Sequence, residues 1–487
     1  MLVARQLSLP PDPCALARVL SAAGARHLAL LHAAEGPGRG DVTAPLGEGL
    51  GRWSFVAAEP DRRSARLDPL GDDPEWQRET LEAAPAEKAV PVGLAGFPRW
   101  IGVLPYEARR GLERPGWRGV DTRPAALVEE VVWRRYPAVI GVDHREGQVW
   151  GVGVSREALE GLLEPLRHAL REGRGVLPGR RGVRVAVEDD DAPERHVARV
   201  RAALELIRQG DLYQVNLARR LRLALREGDA LGLYEQLAQG APSPLGALLE
   251  IEAGVWVAST SPELFLLAEP GRGRAERGGV GVAEEGARAA MAAMGDEGFG
   301  RMYTAPIKGT RPRGKGAEED AGLVVELDGD PKERAELTMI VDVERNDLGR
   351  VAAFGSVRML GAPRVVTHRT VHHRVAWLSA QARAGLGREA VLEAMLPSGS
   401  VTGAPKVRAM EVIAGLEPRR RGLYTGAFGC VAHGGRFTLA MGIRTAVLAG
   451  GEGEYFTGGG IVADSDPERE LEETRWKALQ LQRAAGG

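Results

Sequence analysis

The sequence predicts an α+β fold, and three patterns support that prediction. From 7 to about 154, short apolar stretches are cut by Gly and Pro, as in strands joined by loops. From Tyr213 to Leu225, apolar residues occupy every odd position except 219, which is the period of a strand with one face toward a core. Helix-start signals appear later in the chain, such as Asp330 followed by Pro331 and by Glu333.

The first 160 residues form one predicted region, and 161–194 form a connection to the rest. The connection is rich in Gly and ends in an acidic helix entry. A helical repeat from Val197 to Ile207 follows, and Gly210 is placed to end that helix. In the strand that comes next, Gln214 lies on the face opposite Tyr213.

The region 195–484 contains a low-complexity insertion at 269–300, rich in Gly, Ala, Arg and Glu, which predicts a mobile segment. The helix that begins at Pro331 carries Glu336 on the same face as Ile340, so we expect this carboxylate to be on the buried side and to need a cation. The last helix, which starts at Asp466-Pro467, places Glu473 and Lys477 one turn apart.

Composition excludes several classes of function. The 487 residues carry a net charge of -2, which argues against a general nucleic-acid role. No stretch approaches a membrane span, and the N-terminus lacks the apolar core of a secretory leader. Cys14 and Cys430 are too few for a disulfide framework or a zinc cluster, so we expect a reducing, cytoplasmic location.

Lys308 is the strongest candidate for chemistry. Only six of the 64 basic residues are lysines, so the chain uses arginine wherever a generic cation suffices. Unlike a guanidinium, an ammonium can become a nucleophilic amine, and the nearby Arg311 and Arg313 should favour that form. The alternative is a surface lysine in a basic loop.

Several other residues have a plain structural interpretation when each is taken alone. Glu336 could be a helix salt bridge, His373 a strand histidine, and Glu473 with Lys477 an exposed ion pair. Taken together they favour a metal and a small anion, because two carboxylates with substrate oxygens suit Mg²⁺. Arg444, Lys477 and the amides of 458–460 suit the carboxylates of a small polyanion.

The motifs resemble those of the chorismate-utilising enzymes, and within them component I of the aminodeoxychorismate synthases. The resemblance is weak from about 10 to 160 and strong from about 197 to 482. The segments that carry it are Gly210–Leu217, Ser261–Glu263, Pro306–Arg313, Arg334–Leu337, Met339–Asp342, Arg345–Arg350, Gly399–Lys406, Ile443–Thr445 and Gly458–Ser465.

The resemblance implies a role for each candidate residue. Lys308 would attack C2 of the chorismate ring, Glu263 would be the general acid at the C4 hydroxyl, and His373 would be a second acid/base group. Glu336 and Glu473 would be the Mg²⁺ ligands. Substrate oxygens would be bound by Gln214, Thr402, Arg444, Gly458, Gly459, Gly460 and Lys477. The fold implied is a sandwich of two large, mostly antiparallel β-sheets with helices outside and with the two regions interwoven.

Two positions separate the related activities. Anthranilate synthases carry alanine where this chain has Lys308, and isochorismate and salicylate synthases carry a water-activating lysine at the position of Gln214. The pattern here therefore favours amination at C4, which leads toward p-aminobenzoate and folate. Ala305, where arginine is usual, and Cys430, where a substrate-side tyrosine is common, depart from the family.

The expected partner is a glutamine amidotransferase subunit. The chain lacks a Gly-x-Cys-x-Gly glutaminase motif, so ammonia would come from solution or from a separate subunit. No nucleic-acid or membrane partner is expected. Two alternatives remain open, namely component I of anthranilate synthase and a non-catalytic chorismate-binding subunit. The second alternative is disfavoured by the retention of all five candidate catalytic and metal residues, Glu263, Lys308, Glu336, His373 and Glu473.

Overall fold

Two large β-sheets and one small sheet organise the computed structural model, which describes residues 3–34, 51–73, 94, 96–111, 121–169, 171, 182–271 and 298–485. The strands, in chain order, are β1 Val3–Leu7, β2 Ala29–His32, β3 Trp53–Ala57, β4 Arg62–Ser64, β5 Pro98–Leu104, β6 Val132–Arg135, β7 Ala138–Asp143, β8 Gln148–Gly153, β9 Arg184–Asp189, β10 Gln214–Glu227, β11 Gly246–Glu252, β12 Val255–Ser259, β13 Leu264–Pro270, β14 Phe299–Ala305, β15 Ile307–Pro312, β16 Arg358–Met359, β17 Arg364–Thr367, β18 Val371–Val375, β19 Leu378–Gln381, β20 Gly403–Ala404, β21 Ala427–Ala432, β22 Phe437–Met441, β23 Thr445–Ala449 and β24 Glu452–Ile461.

The helices of the described residues lie between these strands. They are α1 Pro13–Ala22, α2 Arg156–Ala169, α3 Pro193–Arg208, α4 Ala230–Gly240, α5 Ala317–Gly329, α6 Pro331–Val351, α7 Arg388–Met395, α8 Lys406–Leu416 and α9 Pro467–Ala485. Short 3₁₀ turns occupy Pro69–Asp72, Tyr106–Gly111 and Gly399–Val401. None of the described helices is long and apolar enough to cross a membrane.

The two large sheets are antiparallel throughout and contain strands from both ends of the chain. The first has the order β1-β8-β7-β3-β2-β11-β12-β23-β24-β10-β20, with β9 also paired to β10. The second has the order β16-β19-β14-β13-β22-β21-β5-β6-β4. N-terminal strands join C-terminal strands at β2–β11 and β5–β21, so the predicted interweaving of the two regions is confirmed.

An apolar layer lies between the sheets. It combines side chains such as Ile101, Phe428, Val257 and Val447, each at most 4% exposed. Removing a large side chain from water stabilises the fold by about 1.5–3 kcal/mol. Helices cover the outer faces, with α6 packed on the second sheet and α9 on the first. The predicted α+β sandwich with helices outside is confirmed.

Several local predictions are also confirmed. Asp330 caps α6 by accepting hydrogen bonds from the amides of Lys332 and Glu333. Gly210 follows α3 with a φ of 82°, a left-handed conformation that favours glycine.

Three local predictions need comment. The described part of the predicted connection 161–194 contains the end of α2, all of β9 and the start of α3, whereas 170 and 172–181 lie outside the described residues. Tyr213 does not face the core and is 73% exposed, because β10 begins one residue later. Most of the predicted insertion, from 272 to 297, lies outside the described residues.

Candidate active site

Lys308 lies on β15, in a small three-stranded sheet made with β18 and β17. A register shift between Lys308 and Thr310 interrupts the β15–β18 ladder at Gly309, whose φ is 77°. The irregularity falls directly after the lysine, at a place where a bulge can change the direction of a neighbouring side chain.

The glycine run of β24 brings the Lys308 amine next to Gln214. A Cβ added to Gly460 would lie 2.7 Å from Gln214 Nε2 and 3.5 Å from Lys308 Nζ. The side-chain amide of Gln214, on a residue only 2% exposed, has no hydrogen-bond partner for its nitrogen among the described atoms. Because residue 460 is glycine, space remains beside the Lys308 amine and the Gln214 side-chain amide.

Arg311 and Arg313 do not play the role expected of them. Arg311 forms ion pairs with Glu326 and Asp330, and Arg313 pairs with Asp320. Because carboxylates of the α5–α6 region already engage both guanidiniums, the structure gives no support to the argument that they favour the amine form of Lys308.

Glu263 is buried at the end of the segment before β13. Burial raises the pKa of its carboxyl to about 7, against the opposing effect of a hydrogen bond from Ser400 and the charges of Lys308, Arg444 and Lys477. The Ser400 hydroxyl donates to Glu263 Oε1 at 3.0 Å. A carboxyl with a pKa near neutral suits a general acid.

His373 is buried on β18, and its imidazole is neutral at neutral pH. Burial and the charge of Arg444 hold its pKa well below the usual value. Nδ1 is hydrogen bonded to the Thr310 hydroxyl at 3.0 Å, whereas Nε2 has no hydrogen-bond partner in the described part of the chain. Since β15 carries Thr310 as well as Lys308, one strand both presents the amine and orients the histidine.

Arg444 precedes β23 in a strained backbone conformation, with a φ of 50°. Burial lowers the pKa of its guanidinium, which nevertheless remains charged. No ion pair to this guanidinium occurs within the described ranges. Arg444 is half-buried, and a partly desolvated cation without an ion-pair partner, held by a strained backbone, is typical of a ligand-binding position.

Lys477 and Glu473 approach the same glycine run from α9. They form the predicted ion pair at 2.6 Å, and the Lys477 ammonium also donates to the carbonyl of Gly458 at 2.8 Å. Desolvation opposes the charged form of Lys477, but Glu473 outweighs it and raises the lysine pKa. A Cβ on Gly459 would lie 3.6 Å from Glu473 Oε1.

Thr402 is completely buried, and its hydroxyl donates to the carbonyl of Ser398 at 2.9 Å. The hydroxyl hydrogen is thus used within the turn, and only oxygen lone pairs remain for a ligand.

Glu336 is less buried than the helix pattern predicted. Its side chain is 22% exposed, and its cation is Lys332, one turn earlier at 3.7 Å. The helix face that enters the core instead carries Leu337, Ile340 and Val341.

Two further carboxylates lie beside the predicted metal ligands, and the sequence interpretation missed both. Burial and the charge of Glu336 raise the pKa of Glu333, while burial and the charge of Glu473 raise that of Glu470. Each is three residues before its neighbour, so the repeated Glu-x-x-Glu spacing was a readable signal. Like-charge carboxylates on two helices are a donor set that fits Mg²⁺.

No three His, Cys, Asp or Glu side chains within the described ranges converge closely enough to hold a metal by themselves. This is compatible with Mg²⁺, which is usually held by one or two carboxylates together with substrate oxygens. The charge of Lys332 acts on both Glu470 and Glu473, which indicates that the start of α6 approaches α9.

A separate cavity of about 80 Å³ lies between the sheets, lined by Leu31, Phe55, Leu245, Phe428 and Cys430 among others. None of the predicted site residues lines it. Cys430 therefore belongs to this cavity and not to the substrate side of the candidate site.

The assembled site has the groups for substitution on a small dianion. It offers the Lys308 side chain, the buried carboxyl of Glu263 with a pKa near neutral, the neutral imidazole of His373, and the cations of Arg444 and Lys477. Two carboxylate pairs for a metal lie on α6 and α9.

Residues 53–276 and 298–483 match the family of chorismate binding enzymes, so the chain belongs to that family. It is 40% identical over 353 residues to anthranilate synthase component 1 of Thermus thermophilus, covering 72% of this chain and 70% of the relative. It is 38% identical over 281 residues to aminodeoxychorismate synthase component 1 of Escherichia coli, covering 58% and 55%. The crystal structure of anthranilate synthase component I from Streptococcus pneumoniae aligns with a TM-score of 0.66 at 26% identity, covering 88% of this chain and 91% of that one.

Proposed function

We propose that this chain aminates chorismate at C4 to give 4-amino-4-deoxychorismate, with Lys308 as a covalent nucleophile. The observation that carries the proposal is the convergence of the Lys308 amine and the Gln214 amide at Gly460. A lysine in this position can attack the ring, whereas an amide at 214 cannot activate water as a base.

In the first step, Lys308 gives its ammonium proton to solvent, its nitrogen forms a bond to C2, and the ring double bond shifts. The C4–O bond breaks, and the oxygen leaves as water with the proton of Glu263. Ammonia then forms a bond to C4, the double bond returns, and Lys308 leaves as a free amine. The new ammonium returns a proton to Glu263. Two allylic displacements replace one difficult substitution.

The remaining polar groups bind and orient the substrate. Arg444, Lys477 and the amides of Gly458, Gly459 and Gly460 hold its carboxylates, and Thr402 accepts a hydrogen bond from a substrate hydroxyl. The neutral His373, fixed by Thr310, can hold or release a proton at Nε2 near the ring.

Magnesium is the proposed cofactor, with Glu336 and Glu473 as ligands and with Glu333 and Glu470 beside them. When bound, Mg²⁺ would stabilise negative charge on the substrate carboxylate. The proposed ammonia source is a separate glutamine amidotransferase subunit.

Anthranilate formation is the second candidate function. It is favoured by the 40% identity to the Thermus thermophilus component 1. In that reaction ammonia would enter at C2, the carbon that Lys308 attacks in the first proposal. The two candidates therefore differ in whether the amine of Lys308 occupies C2.

Incubation of the purified chain with chorismate, Mg²⁺ and ammonium separates these candidates. We expect a product with the mass of 4-amino-4-deoxychorismate, which an added lyase converts to p-aminobenzoate. Anthranilate as the main product would reject C4 amination and support the second candidate. No consumption of chorismate would reject both.

A further inference from the structure

A continuous chain of side-chain oxygens leads from Glu263 into α6. Ser400 Oγ lies 3.0 Å from Glu263 Oε1 and 2.9 Å from Ser398 Oγ. Ser398 Oγ in turn contacts Glu344 Oε1. All four residues are at most 6% exposed, so bulk water does not compete for these contacts.

The number of hydrogens in this chain is informative. Three oxygen–oxygen contacts join the four side chains, but the two serine hydroxyls supply only two hydrogens. The third hydrogen must come from a carboxyl group. All three hydrogen bonds therefore form together only when one of the two glutamates is protonated.

Either glutamate can carry that proton. If Glu263 holds it, each hydroxyl points toward α6 and Ser398 donates to the Glu344 carboxylate. If Glu344 holds it, each hydroxyl points the other way and Ser400 donates to the Glu263 carboxylate. Reversal of the two hydroxyls, with one proton passed at each contact, moves the acidic hydrogen between the carboxyls without any change in composition.

The surrounding charges determine which end is protonated. Glu263 is near the cations Lys308, Arg444 and Lys477, which favour its carboxylate form. Glu344 is near Asp347, which disfavours its carboxylate, and the nearby cation Lys406 is already paired with Asp347 at 2.9 Å. Burial raises the pKa of Glu344 to about 7. Burial raises the pKa of Glu263 to about 7 as well, so only the neighbouring charges differ between the two ends, and they favour Glu344 as the site of the shared proton in the free protein.

We propose that Glu344 stores the proton that Glu263 needs as the general acid. Ser398 and Ser400 transfer this proton from Glu344 to Glu263 when a dianionic substrate offsets the cations around Glu263. The proposal rests on the proposed function, in which Glu263 acts as the acid. Glu344 does not touch the substrate in this scheme, so it is a positioning residue. Glu263 therefore becomes protonated when the substrate binds.

The choice of variants follows from the other roles of the serines. Ser398 Oγ also accepts a hydrogen bond from the Ser400 amide at 3.0 Å, so its removal would disturb the turn itself. Ser400→Ala removes only the hydroxyl that links Glu263 to Ser398. Glu344→Gln removes the carboxyl that stores the proton. Glu411→Gln on α8 is the matched control, since Glu411 forms a surface ion pair with Arg408.

The first measurement is the pH profile of kcat and KM with chorismate and ammonium. For Glu344→Gln and Ser400→Ala we expect kcat to fall about tenfold or more with KM little changed. In Glu344→Gln the basic limb of kcat should also move to lower pH, because the second carboxylate no longer favours protonation of Glu263. A wild-type profile in Glu344→Gln would overturn the proposal.

The second measurement does not depend on turnover. Infrared difference spectra of the wild type near neutral pH should contain a protonated carboxyl band that is missing in Glu344→Gln and present in Glu411→Gln. In Lys308→Ala, which cannot form the covalent bond, chorismate should shift that band. An identical band in wild type and Glu344→Gln would refute the shared proton. If the wild type formed a different product, the proposed function would fail while this spectrum still tested the relay.

Discussion

At the scale of single residues, substitution of Lys308 distinguishes a covalent role of this lysine from a purely electrostatic one. Lys308→Arg keeps the charge but removes the nucleophile, so it should reduce formation of the 4-amino product nearly as much as Lys308→Ala, by at least about 10²-fold. The measurement is the rate and mass of product for each variant. Lys315→Arg and Lys315→Ala, at an exposed lysine in the following loop, serve as controls.

Wild-type rates in both Lys308 variants would contradict the covalent role. A milder result is also informative, because removal of the side chain leaves space at C2 beside an intact Glu263. Residual turnover in Lys308→Ala should then shift toward the 2-amino product. A covalent adduct with the mass of chorismate less water on the wild-type peptide would support the nucleophilic role directly.

The raised pKa of Glu263 predicts the direction of pH effects. A general acid must be protonated, so kcat/KM should fall as pH rises through about 7. The folded protein holds this proton more tightly than the unfolded chain, so the free energy of unfolding should also decrease as pH rises from the usual carboxyl value of 4.5 through about 7, and level off above that. Glu263→Gln should abolish activity but give a higher melting temperature than wild type at pH 8, with little difference at pH 4. A lower melting temperature at pH 8 would contradict the burial argument.

The sequence was informative about residues whose chemistry is distinctive and less informative about residues that support them. Lys308 could be found because arginine replaces lysine almost everywhere else. Ser400 and Glu344 could not, because their contacts join segments that are far apart in the chain and depend on how α6 packs against the turn at 399–401.

At the scale of secondary-structure elements, the glycine run of β24 shapes the site. A Cβ at Gly460 would approach Gln214 Nε2 to 2.7 Å, closer than real Cβ contacts allow, so the amide would have to move. We expect Gly460→Ala to lower kcat/KM about tenfold or more, since misplacement of reacting groups by about 1 Å can cost about 10²-fold. Steady-state kinetics measures the change in kcat/KM, and circular dichroism checks separately that the variant is folded.

Gly415→Ala on α8 is the control for this prediction. No atom lies within 4 Å of a Cβ there, so this variant should keep full activity. Equal activity of Gly460→Ala and wild type would mean that the space above this glycine is not used by the substrate.

The proposed dependence on Mg²⁺ rests on carboxylates of two helices, α6 and α9. Glu336→Gln or Glu473→Gln should abolish Mg²⁺-dependent turnover without unfolding the chain, because each leaves the metal short of a ligand. Titration of activity against Mg²⁺ and a thermal melt measure these effects. Glu472→Gln is the matched control on α9, since Glu472 pairs with Arg475 on the surface. Full activity in a chelator would contradict metal dependence.

Elements whose sequence signals lie within a few residues were predicted well. Elements that form only by pairing with distant strands were not. The cap of α6 at Asp330 and the left-handed Gly210 follow from chemistry within a few residues. By contrast, 184–189 reads as part of a connection, because β9 becomes a strand only by pairing with β10, and its outer residues are exposed.

At the scale of the whole molecule, the proposed amination needs an ammonia source outside this sequence, which lacks a Gly-x-Cys-x-Gly glutaminase motif. Glutamine alone should not support turnover by the pure chain, whereas ammonium at high pH should, because free NH₃ is the nucleophile. Addition of a class I glutaminase subunit should restore the use of glutamine. Product formation from glutamine by the rigorously pure chain would contradict this prediction.

The interwoven sheets also determine when the protein can fold during its synthesis. Leu31 pairs with Ala247, and Gly102 pairs with Gly429, so N-terminal strands leave the ribosome long before their partners exist. Until then β2 and β5 expose unpaired backbone groups, which invite association with other chains. β24, which lies between β23 and β10, is translated last of the strands. The two sheets are therefore completed only near the end of translation, and we expect the nascent chain to rely on chaperones until then.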